Sequence, residues 1–486
     1  MKHAILLLWH KDLQQLKELI RFFDEDFAFY IHIDKKSVIS AEDIEDLKRK
    51  RENLHFYCKY KINWGGFNIV RAELFLLQEI VKEEENFDYI HFFSGQDYPI
   101  KKLNHIKSFF EENKGYEYIE YMKLPSEKWD YGTYGRFNYY RFFDFWDVRT
   151  PQGAKKVSNL VKFQRKIGYK RRVPDQFDYL YGGSNWMSIT GECAKYIVDN
   201  QKQNKPFYSR LKYTFASDEV YFHTVILNSP FAEKVKNDNV RCILWENNAS
   251  SPRTLTEKDW WSIVTSDCLF ARKWDTRLSA KLMAYLKKYI LNTDPGAIAP
   301  QGYWQGETLA GHKYDKGLAE GLLKLLPFMG VETIADFGCG LGWYVALLRN
   351  NGYDTQGYDG NPHVEEMSAL LFPDGFYCQH ADLTEDLETD SPFDLIISLE
   401  VGEHIPPQWE DTFLANLARN SGRYIILSWA VKGQPGDGHV NCRSNSYVIA
   451  KMKELGFSLN APAGNYLREC ATLWWFKGTM MFFERI

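Results

Sequence analysis

The sequence lacks several features that would assign it to a class at once. No run approaches the ~20 apolar residues that cross a bilayer. The eight cysteines include no CxxC pair and no Cys/His spacing typical of zinc sites, so we expect reduced thiols in a cytoplasmic protein. Most nucleic-acid-binding proteins carry an excess of basic residues, whereas this sequence has a net charge of -4. We therefore expect no nucleic-acid partner.

The apolar start of the chain is too short for a signal peptide. It meets His10-Lys-Asp12 without a small-residue cleavage site, and we interpret it as a buried strand. Strand-like and helix-like segments then alternate, and the predicted strands are Ala4–Trp9, Phe27–Ile33, Leu54–Tyr57 and Tyr89–Phe93. This order predicts an α/β fold with a largely parallel sheet and helices on both faces.

A second region begins after a segment rich in Pro and Gly. Residues 292–302 interrupt a helical pattern, and a new βα pattern follows. Its predicted strands are Thr333–Phe337, Thr355–Tyr358, Phe393–Ser398 and Arg423–Ser428. For 486 residues two or three domains are expected. We predict a first domain over residues 1–290, a linker over 291–302 and a second domain over 303–486.

One segment carries basic charges only. Between Arg149 and Arg172 there are nine Lys and Arg residues and no Asp or Glu. A solvated helix and loop is one interpretation. The alternative is a patch that contacts an anionic membrane surface or a lipid-diphosphate acceptor, with the protein lying peripherally at the inner face of the membrane.

Seven short motifs follow one another across the first domain: Ile31–Ser37, Trp64–Gly66, Phe92–Ile100, Tyr181–Trp186, Ser217–His223, Ser251–Thr254 and Leu269–Asp275. In this order they resemble the core-2/I-branching N-acetylglucosaminyltransferases and their relatives, the peptide xylosyltransferases. The resemblance implies a GT-A-like glycosyltransferase domain. It also implies an inverting, metal-independent transfer of N-acetylglucosamine or xylose from a UDP-sugar to a glycan or lipid-linked glycan.

Such a transfer needs a base for the acceptor hydroxyl and positive charge for the leaving diphosphate. The resemblance assigns the base to Glu219. The alternative is that Glu219 is an ordinary acidic residue in the first turn of a helix, which the local pattern fits equally. Asp218 is the rival carboxylate for the role of base. It assigns the positive charge to Arg253 and Lys273. The strand that carries the Asp-x-Asp metal motif in related folds ends here in Ser94-Gly-Gln-Asp97, and we expect no metal.

Further residues are expected to line the same site. Asp34 follows a strand, at the end where open α/β sheets bind ligands. The resemblance implies that Asp34 contacts the donor nucleoside. The alternative is that Asp34 caps the loop that follows it. Trp64 and Asp97 are expected to shape the donor pocket, and Glu120 and Trp245 to contact the acceptor sugar. Because the anchor and lumenal disulfides of eukaryotic members are not evident, we expect a bacterial relative acting on a bacterial glycan.

The second domain resembles the class I S-adenosylmethionine-dependent methyltransferases, which implies a Rossmann-like fold. The segment Thr333–Gly342 matches their first motif, in which glycines let the backbone approach the cofactor. Its cofactor-binding candidates, with those of the following segments, are Asp336, Gly338, Gly340, Gly342, Asp359 and Asp382. A nicotinamide-binding fold is the competing interpretation.

Methyl transfer to oxygen needs a base, and the candidates are Glu403, His404 and His439. For His404, a role in packing the loop is an equal alternative to a role as base. We expect the second domain to methylate the glycan that the first extends, or to be an inactive scaffold. Two alternatives concern the whole chain. It is a non-catalytic carbohydrate-binding or scaffolding protein, or a sugar methyltransferase whose N-terminal domain only positions the substrate.

Overall fold

The computed structural model describes residues 1–83, 86–127, 135–246, 249, 251–292, 296–307, 312–372 and 375–486. The chain forms two compact units, Met1–Leu282 and Met283–Ile486. The predicted linker over 291–302 falls in the second unit and partly outside the described residues, so the predicted domain bounds remain predictions.

The first unit is built from strands and helices that alternate over its first half. Its strands are β1 (His3–Trp9), β2 (Phe27–Ile33), β3 (Leu54–Tyr57), β4 (Tyr89–Ser94), β5 (Asp97–Pro99), β6 (Glu117–Leu124), β7 (Leu180–Thr190), β8 (Val235–Lys236), β9 (Arg241–Ile243) and β10 (Phe270–Arg272). Its helices are α1 (Leu13–Phe22), α2 (Ala41–Lys50), α3 (Asn68–Lys82), α4 (Leu103–Glu112), α5 (Pro151–Lys166), α6 (Gly191–Asp199), α7 (Lys205–Leu211), α8 (Asp218–Leu227) and α9 (Trp260–Val264). Helix α10 (Ala280–Leu286) and a π-helical turn (Lys287–Leu291) follow.

The main sheet of this unit has the order β3-β2-β1-β4-β7-β6-β8. The first four strands are parallel, whereas β7 is antiparallel to both β4 and β6. A small sheet, β5-β10-β9, lies in the same unit. The carboxyl ends of β1, β2 and β4 therefore open at one edge, the position at which sheets of this type bind ligands.

Apolar runs explain the central strands. Every residue of β2 is buried, as expected for a parallel strand covered on both faces. Helix α1 begins where the Asp12 carboxylate accepts a hydrogen bond from the Gln15 backbone N–H at 3.1 Å, and it buries Leu16, Leu19 and Ile20. These local features position the loops after β1 and β2 at the sheet edge.

The second unit is a doubly wound α/β domain. Its strands are β11 (Thr333–Phe337), β12 (Asp354–Asp359), β13 (Cys378–His380), β14 (Phe393–Leu399), β15 (Ser421–Ser428), β16 (Phe457–Leu459) and β17 (Met481–Arg485). Its helices are α11 (Lys316–Met329), α12 (Trp343–Asn350), α13 (Val364–Ser368), α14 (Glu410–Asn420), α15 (Asn445–Glu454), α16 (Ala461–Cys470) and α17 (Phe476–Thr479). The sheet order is β13-β12-β11-β14-β15-β17-β16, with β17 antiparallel to its neighbours.

Alternating side chains cover both faces of this second sheet. In β14, Ile396 packs into one apolar cluster, while Leu395 and Ile397 pack into the other. The strand order reverses beside β11, and the carboxyl end of that strand is thus the switch point at which doubly wound sheets bind nucleotides. The α/β class predicted for both parts of the chain is confirmed.

Candidate active site

A cavity of about 1200 Å³ opens at the carboxyl edge of the first sheet. Its lining includes His10 after β1, Asp34 after β2 and Ser94 at the end of β4. Residues of α3, α8 and β10 complete the walls. This volume lies above the usual range for one small ligand, so the cavity has room for two.

The Asp34 carboxylate holds the loops at the cavity floor. Its Oδ1 accepts hydrogen bonds from the backbone N–H groups of Lys36 at 3.0 Å and Ile62 at 3.1 Å. The Lys36 ammonium lies 3.8 Å from Asp34 Oδ2 and donates to Asn63 Oδ1 at 2.9 Å. The carboxylate is therefore fixed in position at the strand ends.

One wall of the cavity is basic. Lys273 is half-buried, and burial, followed by the charges of Arg149 and Arg272, lowers the pKa of its ammonium. Burial and the Arg149 charge lower the pKa of His10 to about 4. Cations that repel one another in this way create a positive potential that favours a bound anion.

Arg272 joins this wall through an ion pair with Asp97. Its Nη1 lies 3.3 Å from Asp97 Oδ1, and its guanidinium stacks 3.3 Å above the Trp186 ring. Asp97 is 1% exposed, and its other oxygen accepts from the Ser94 backbone N–H. The acidic residue at this strand end is therefore buried behind the guanidinium, and Arg272 rather than Asp97 lines the cavity.

Three carboxyl groups also line the cavity. Glu219, in the first turn of α8, accepts a hydrogen bond from Arg136 Nη1 at 2.5 Å. Asp218 is buried beside it, and burial together with the Glu219 charge raises the pKa of Asp218 to about 7. Glu73 of α3 accepts from Asn185 at 2.7 Å, and burial and Asp218 raise the pKa of Glu73 well above its usual value. Glu219 is the member of this set that an Arg holds and that is partly exposed.

An exposed tryptophan is among the residues that line the cavity. Trp245 is 56% exposed and lines the cavity, so its indole face is available for a sugar ring. Glu120 also lines the cavity and accepts a hydrogen bond from Asn239 Nδ2 at 2.7 Å.

In the second unit, a glycine turn follows β11. Gly338, Gly340 and Gly342 have φ of +82°, +54° and +76°, which favours glycine. The Gly340 N–H donates to Asp359 Oδ2 at 2.8 Å, and Asp359 Oδ1 accepts from the Asn361 N–H at 2.8 Å. The carboxylate at the end of β12 is thus held against the turn, and each of its oxygens keeps a lone pair for a ligand hydroxyl.

The other two acidic candidates of this unit differ from Asp359. Asp336 is 3% exposed, and burial together with the Asp359 charge raises the pKa of Asp336 to about 8. Asp382 accepts hydrogen bonds from the backbone N–H and hydroxyl of Thr384, at 2.9 and 2.6 Å. Asp336 is therefore an interior group, whereas Asp382 shapes the loop after β13.

The three candidate bases lie close together: Glu403 and His404 follow β14, and His439 follows β15. The rings of His404 and His439 are 5.0 Å apart, and His439 Nε2 lies 3.9 Å from Glu403 Oε1. Glu403 is fully buried. Burial and the neighbouring His439 lower the pKa of His404 to about 4, so its imidazole is neutral at pH 7.

Comparison with known proteins identifies the first part of the chain. The family model of the core-2/I-branching enzymes matches residues 4–269, more than half of the chain. The chain belongs to the core-2/I-branching enzyme family. Xylosyltransferase 2 from Canis lupus familiaris is 24% identical over 327 residues, covering 62% of this chain and 35% of that protein. Xylosyltransferase oxt from Drosophila pseudoobscura is 20% identical over 343 residues, 66% of this chain and 36% of that protein. The chain thus spans about a third of the length of these curated relatives.

A methyltransferase domain model matches residues 310–433 of the second part. The sugar N-methyltransferase KedS8 from Streptoalloteichus aligns at 13% identity and a TM-score of 0.30, over 35% of this chain and 87% of that chain. The magnesium protoporphyrin IX methyltransferase ChlM from Synechocystis aligns at 18% identity and a TM-score of 0.28, over 35% and 82%. The family-model matches confirm both resemblances predicted from the sequence.

Most predicted site residues of this core-2/I-branching enzyme line the one cavity: Asp34, Trp64, Glu120, Glu219, Trp245 and Lys273. Asp97 and Arg253 are not among its lining residues. The Arg253 guanidinium pairs with the buried Asp259, which closes the turn before α9. The roles of all these residues remain predictions.

Several cavity residues carry no assigned role in the sequence-based prediction: Glu73, Arg136, Arg149, Asn185 and Arg272. A signal for Glu73 exists, because it lies among Val70, Leu74 and Leu77 on the apolar face of α3. A charged residue on a buried helix face is a functional-site indicator.

The basic segment over 149–172 separates into different environments. Arg149 lines the cavity, and Arg171 is buried, where its guanidinium donates to the Arg210 and Lys212 carbonyls at 2.7 and 2.9 Å. The lysines at 155, 156, 162, 166 and 170 are exposed. Across the described ranges, no helix combines the length and apolar character needed to span a bilayer. Contact with a membrane surface remains a prediction.

Proposed function

We propose that the first unit is an inverting glycosyltransferase that moves a sugar from a UDP-sugar to a glycan hydroxyl in one displacement. The observation that carries this proposal is one cavity that is lined both by basic side chains and by an Arg-held carboxylate, Glu219. One displacement needs both, a base where the hydroxyl enters and positive charge where the diphosphate leaves. Family membership and relatives named as xylosyltransferases support it.

On the donor side, Lys273, Arg149 and Arg272 neutralise the diphosphate. Their mutual repulsion is relieved when an anion binds, so part of the binding free energy comes from this relief. Asp34, which follows β2, accepts a hydrogen bond from the donor nucleoside, and Trp64 packs against that nucleoside. Fixed cations can stabilise the developing phosphate charge as a metal ion does elsewhere.

The transfer is proposed to be metal-independent because of the chemistry at the end of β4. The acid there, Asp97, is buried and already pairs with Arg272 at 3.3 Å. A divalent cation would compete with this guanidinium for the same carboxylate. The geometry therefore favours charge compensation by side chains.

Glu219 is the proposed base in preference to Asp218. Asp218 is buried, whereas a base has to reach the acceptor hydroxyl. Glu219 is partly exposed to the cavity and is oriented by Arg136. Orientation toward the acceptor hydroxyl is the first requirement for a general base.

The donor sugar is xylose or N-acetylglucosamine. Relatives 20–24% identical are named xylosyltransferases, which favours testing UDP-xylose first. The test is UDP release by the full chain from UDP-xylose, UDP-N-acetylglucosamine, UDP-glucose and UDP-galactose, followed by NMR of the product. A β-linked product from an α-configured donor is expected, and an α-linked product would contradict inversion. No turnover, with UDP bound normally, would favour a carbohydrate-binding role.

We also infer that the second unit binds S-adenosylmethionine and methylates the glycan that the first unit extends. The glycine turn after β11 faces the cofactor, and Asp359 binds its ribose hydroxyls. Asp382 contributes to the adenine side. The test incubates the chain with acceptor, UDP-sugar and S-adenosylmethionine. A methylated product is expected, whereas glycosylated product without methyl would contradict the coupling.

The proposed acceptor is a bacterial glycan, free or lipid-linked, reached at the inner membrane surface through the exposed lysines of α5. Anionic vesicles attract such lysines by electrostatics that salt screens. Sedimentation with phosphatidylglycerol vesicles tests this. We expect the wild type to bind anionic vesicles at low salt and the double variant Lys155→Glu/Lys162→Glu not to bind them. Equal binding of the wild type to neutral vesicles would contradict the proposal.

A further inference from the structure

A buried carboxyl group with a second carboxyl group beside it lies in the loop between β14 and α14. Glu403 is fully buried, and the backbone N–H groups of Glu403 and Ala430 are directed at its carboxyl group. The Glu400 carboxyl group is its neighbour and adds negative charge. Two neighbouring carboxyl groups in a buried site are costly unless positive charge is close by, so this arrangement favours a bound cation.

Two histidines present nitrogen atoms to the same place. His404 Nδ1 lies 3.2 Å from the Gly438 carbonyl, and His439 Nδ1 lies 3.2 Å from the Gln434 carbonyl. Because a carbonyl only accepts, each Nδ1 carries the hydrogen and each Nε2 keeps a lone pair. One nitrogen of each ring and one Glu403 oxygen lie within 4.8 Å of one another.

We propose that Glu403, His404 and His439 bind a divalent transition-metal ion. Ligating histidines usually donate their second N–H to a backbone carbonyl or carboxylate, which is the pattern of both rings here. Ligand atoms at about 2.1 Å from an ion lie roughly 3.4 Å apart, so side-chain shifts of about 1 Å complete the site. This proposal departs from the sequence-based expectation of no metal.

The donor set selects the class of ion. Two imidazoles and a carboxylate suit Zn²⁺, Fe²⁺, Co²⁺ or Mn²⁺, whereas Ca²⁺ and Mg²⁺ favour all-oxygen sites. A second group, Glu307, His363 and Glu366, is a weaker candidate. There the Lys288 ammonium already lies 2.8 Å from both carboxylates.

The loop that carries two of the proposed ligands, Glu403 and His404, packs against the glycine turn. Val401 of the same loop packs against Gly338, where a Cβ would approach it to 2.3 Å. If the unit is a methyltransferase, which rests on the proposed function, an open coordination position would hold the acceptor hydroxyl and lower its pKa. Metal binding itself does not depend on that role.

The test titrates the chelator-treated full chain with Co²⁺ alone, followed by calorimetry and visible absorption. One Co²⁺ per chain with an absorption band of nitrogen and oxygen ligation is expected, and Zn²⁺ displaces it. His404→Ala, His439→Ala and the isosteric Glu403→Gln each weaken binding by at least about tenfold. His363→Ala, the matched control, changes it by less than about twofold.

Circular dichroism identifies any variant that fails to fold, and Glu403→Gln provides the conservative replacement. Loss of the Co²⁺ band in His363→Ala, or no binding by the folded wild-type chain, would overturn the proposal. Binding of Mg²⁺ with no preference for Co²⁺ would overturn the metal class. The readout is metal binding and not methyl transfer. Failure of this proposal and failure of the proposed methyl transfer are therefore distinguishable.

Discussion

Arg136 donates a hydrogen bond to Glu219 at 2.5 Å across the cavity wall. The Arg136 side chain is 8% exposed and its guanidinium stacks 5.0 Å from the Phe215 ring, whereas the Glu219 side chain is 35% exposed. A rigid, buried partner therefore orients a carboxylate that substrate can still reach. This arrangement leads to the first prediction, which concerns the base.

Glu219→Gln is expected to lower kcat for sugar transfer by about 10²–10⁴-fold, because the amide cannot take the acceptor proton. The affinity for UDP is expected to change by less than about twofold, since the proposed diphosphate contacts are Lys273, Arg149 and Arg272 rather than Glu219. Coupled detection of UDP release measures the first effect, and calorimetry with UDP measures the second.

Asp218→Asn is the matched control, one residue away on the same helix. It is expected to retain activity within about tenfold, because the neutral form of Asp218 is already substantially populated at pH 7. If Asp218→Asn abolished transfer while Glu219→Gln preserved it, the base would be Asp218.

The stability of the first unit is expected to fall as pH rises from 4 to 8. The pKa of Asp218 is raised from 3.8 to about 7 in the folded chain, so the folded state binds more protons than the unfolded state in this window. Linkage then lowers the free energy of unfolding with increasing pH, by about 2–4 kcal/mol at most. Asp218→Asn should weaken this dependence, and burial of Glu73 and Glu117, which raises their pKa values, sustains the rest. The test is scanning calorimetry at several pH values of the unfolding transition that UDP shifts. Parallel curves of stability against pH for the wild type and Asp218→Asn would disprove the prediction.

Trp245→Ala is expected to raise KM for the acceptor about threefold to tenfold, because the exposed indole face is lost as a stacking surface. The KM for the donor should not change. Initial rates at varied acceptor concentration give both constants. Trp474→Ala, which removes an exposed tryptophan of the second unit, is the control, and an equal effect there would exclude a specific role.

Asp359→Ala is expected to weaken binding of S-adenosylhomocysteine by about tenfold or more, since charge-assisted hydrogen bonds to the ribose are lost. Asp354→Ala changes another acid of β12, which pairs with Arg349 at 3.0 Å on the exposed side, and should bind normally. Calorimetry with the three proteins measures this. Equal affinities would show that the turn does not bind this cofactor through Asp359.

Local pattern is sufficient to predict many elements of this fold. The bounds predicted for β2, β3 and β11 are those observed, because each is a short segment rich in apolar residues between polar breaks. Strand β7 is not predicted, since its Tyr181–Trp186 segment has two glycines and low strand propensity. At Gly183 a Cβ would lie 1.9 Å from the Glu120 carbonyl oxygen, so close strand approach explains the glycine there.

The candidate site is predicted in part for the same reason. Motif residues such as Glu219 and Lys273 are identifiable because their neighbours in sequence match a family. The ion pair of Asp97 with Arg272 joins residues far apart in the chain, and no local pattern indicates it. Arg149 belongs to a basic run in the sequence, yet the fold turns it toward Lys273 while most of the run stays exposed.

The central claim is that side-chain cations replace a metal at the leaving diphosphate. The most direct test measures UDP release with the best donor in EDTA, for the wild type, Lys273→Ala and the control Lys11→Ala. Lys11 pairs with Asp275 and is not among the cavity-lining residues. The account predicts full wild-type activity in EDTA, a loss of about 10²–10³-fold in Lys273→Ala and a change below threefold in Lys11→Ala. Activity that EDTA abolishes and Mn²⁺ restores would contradict it.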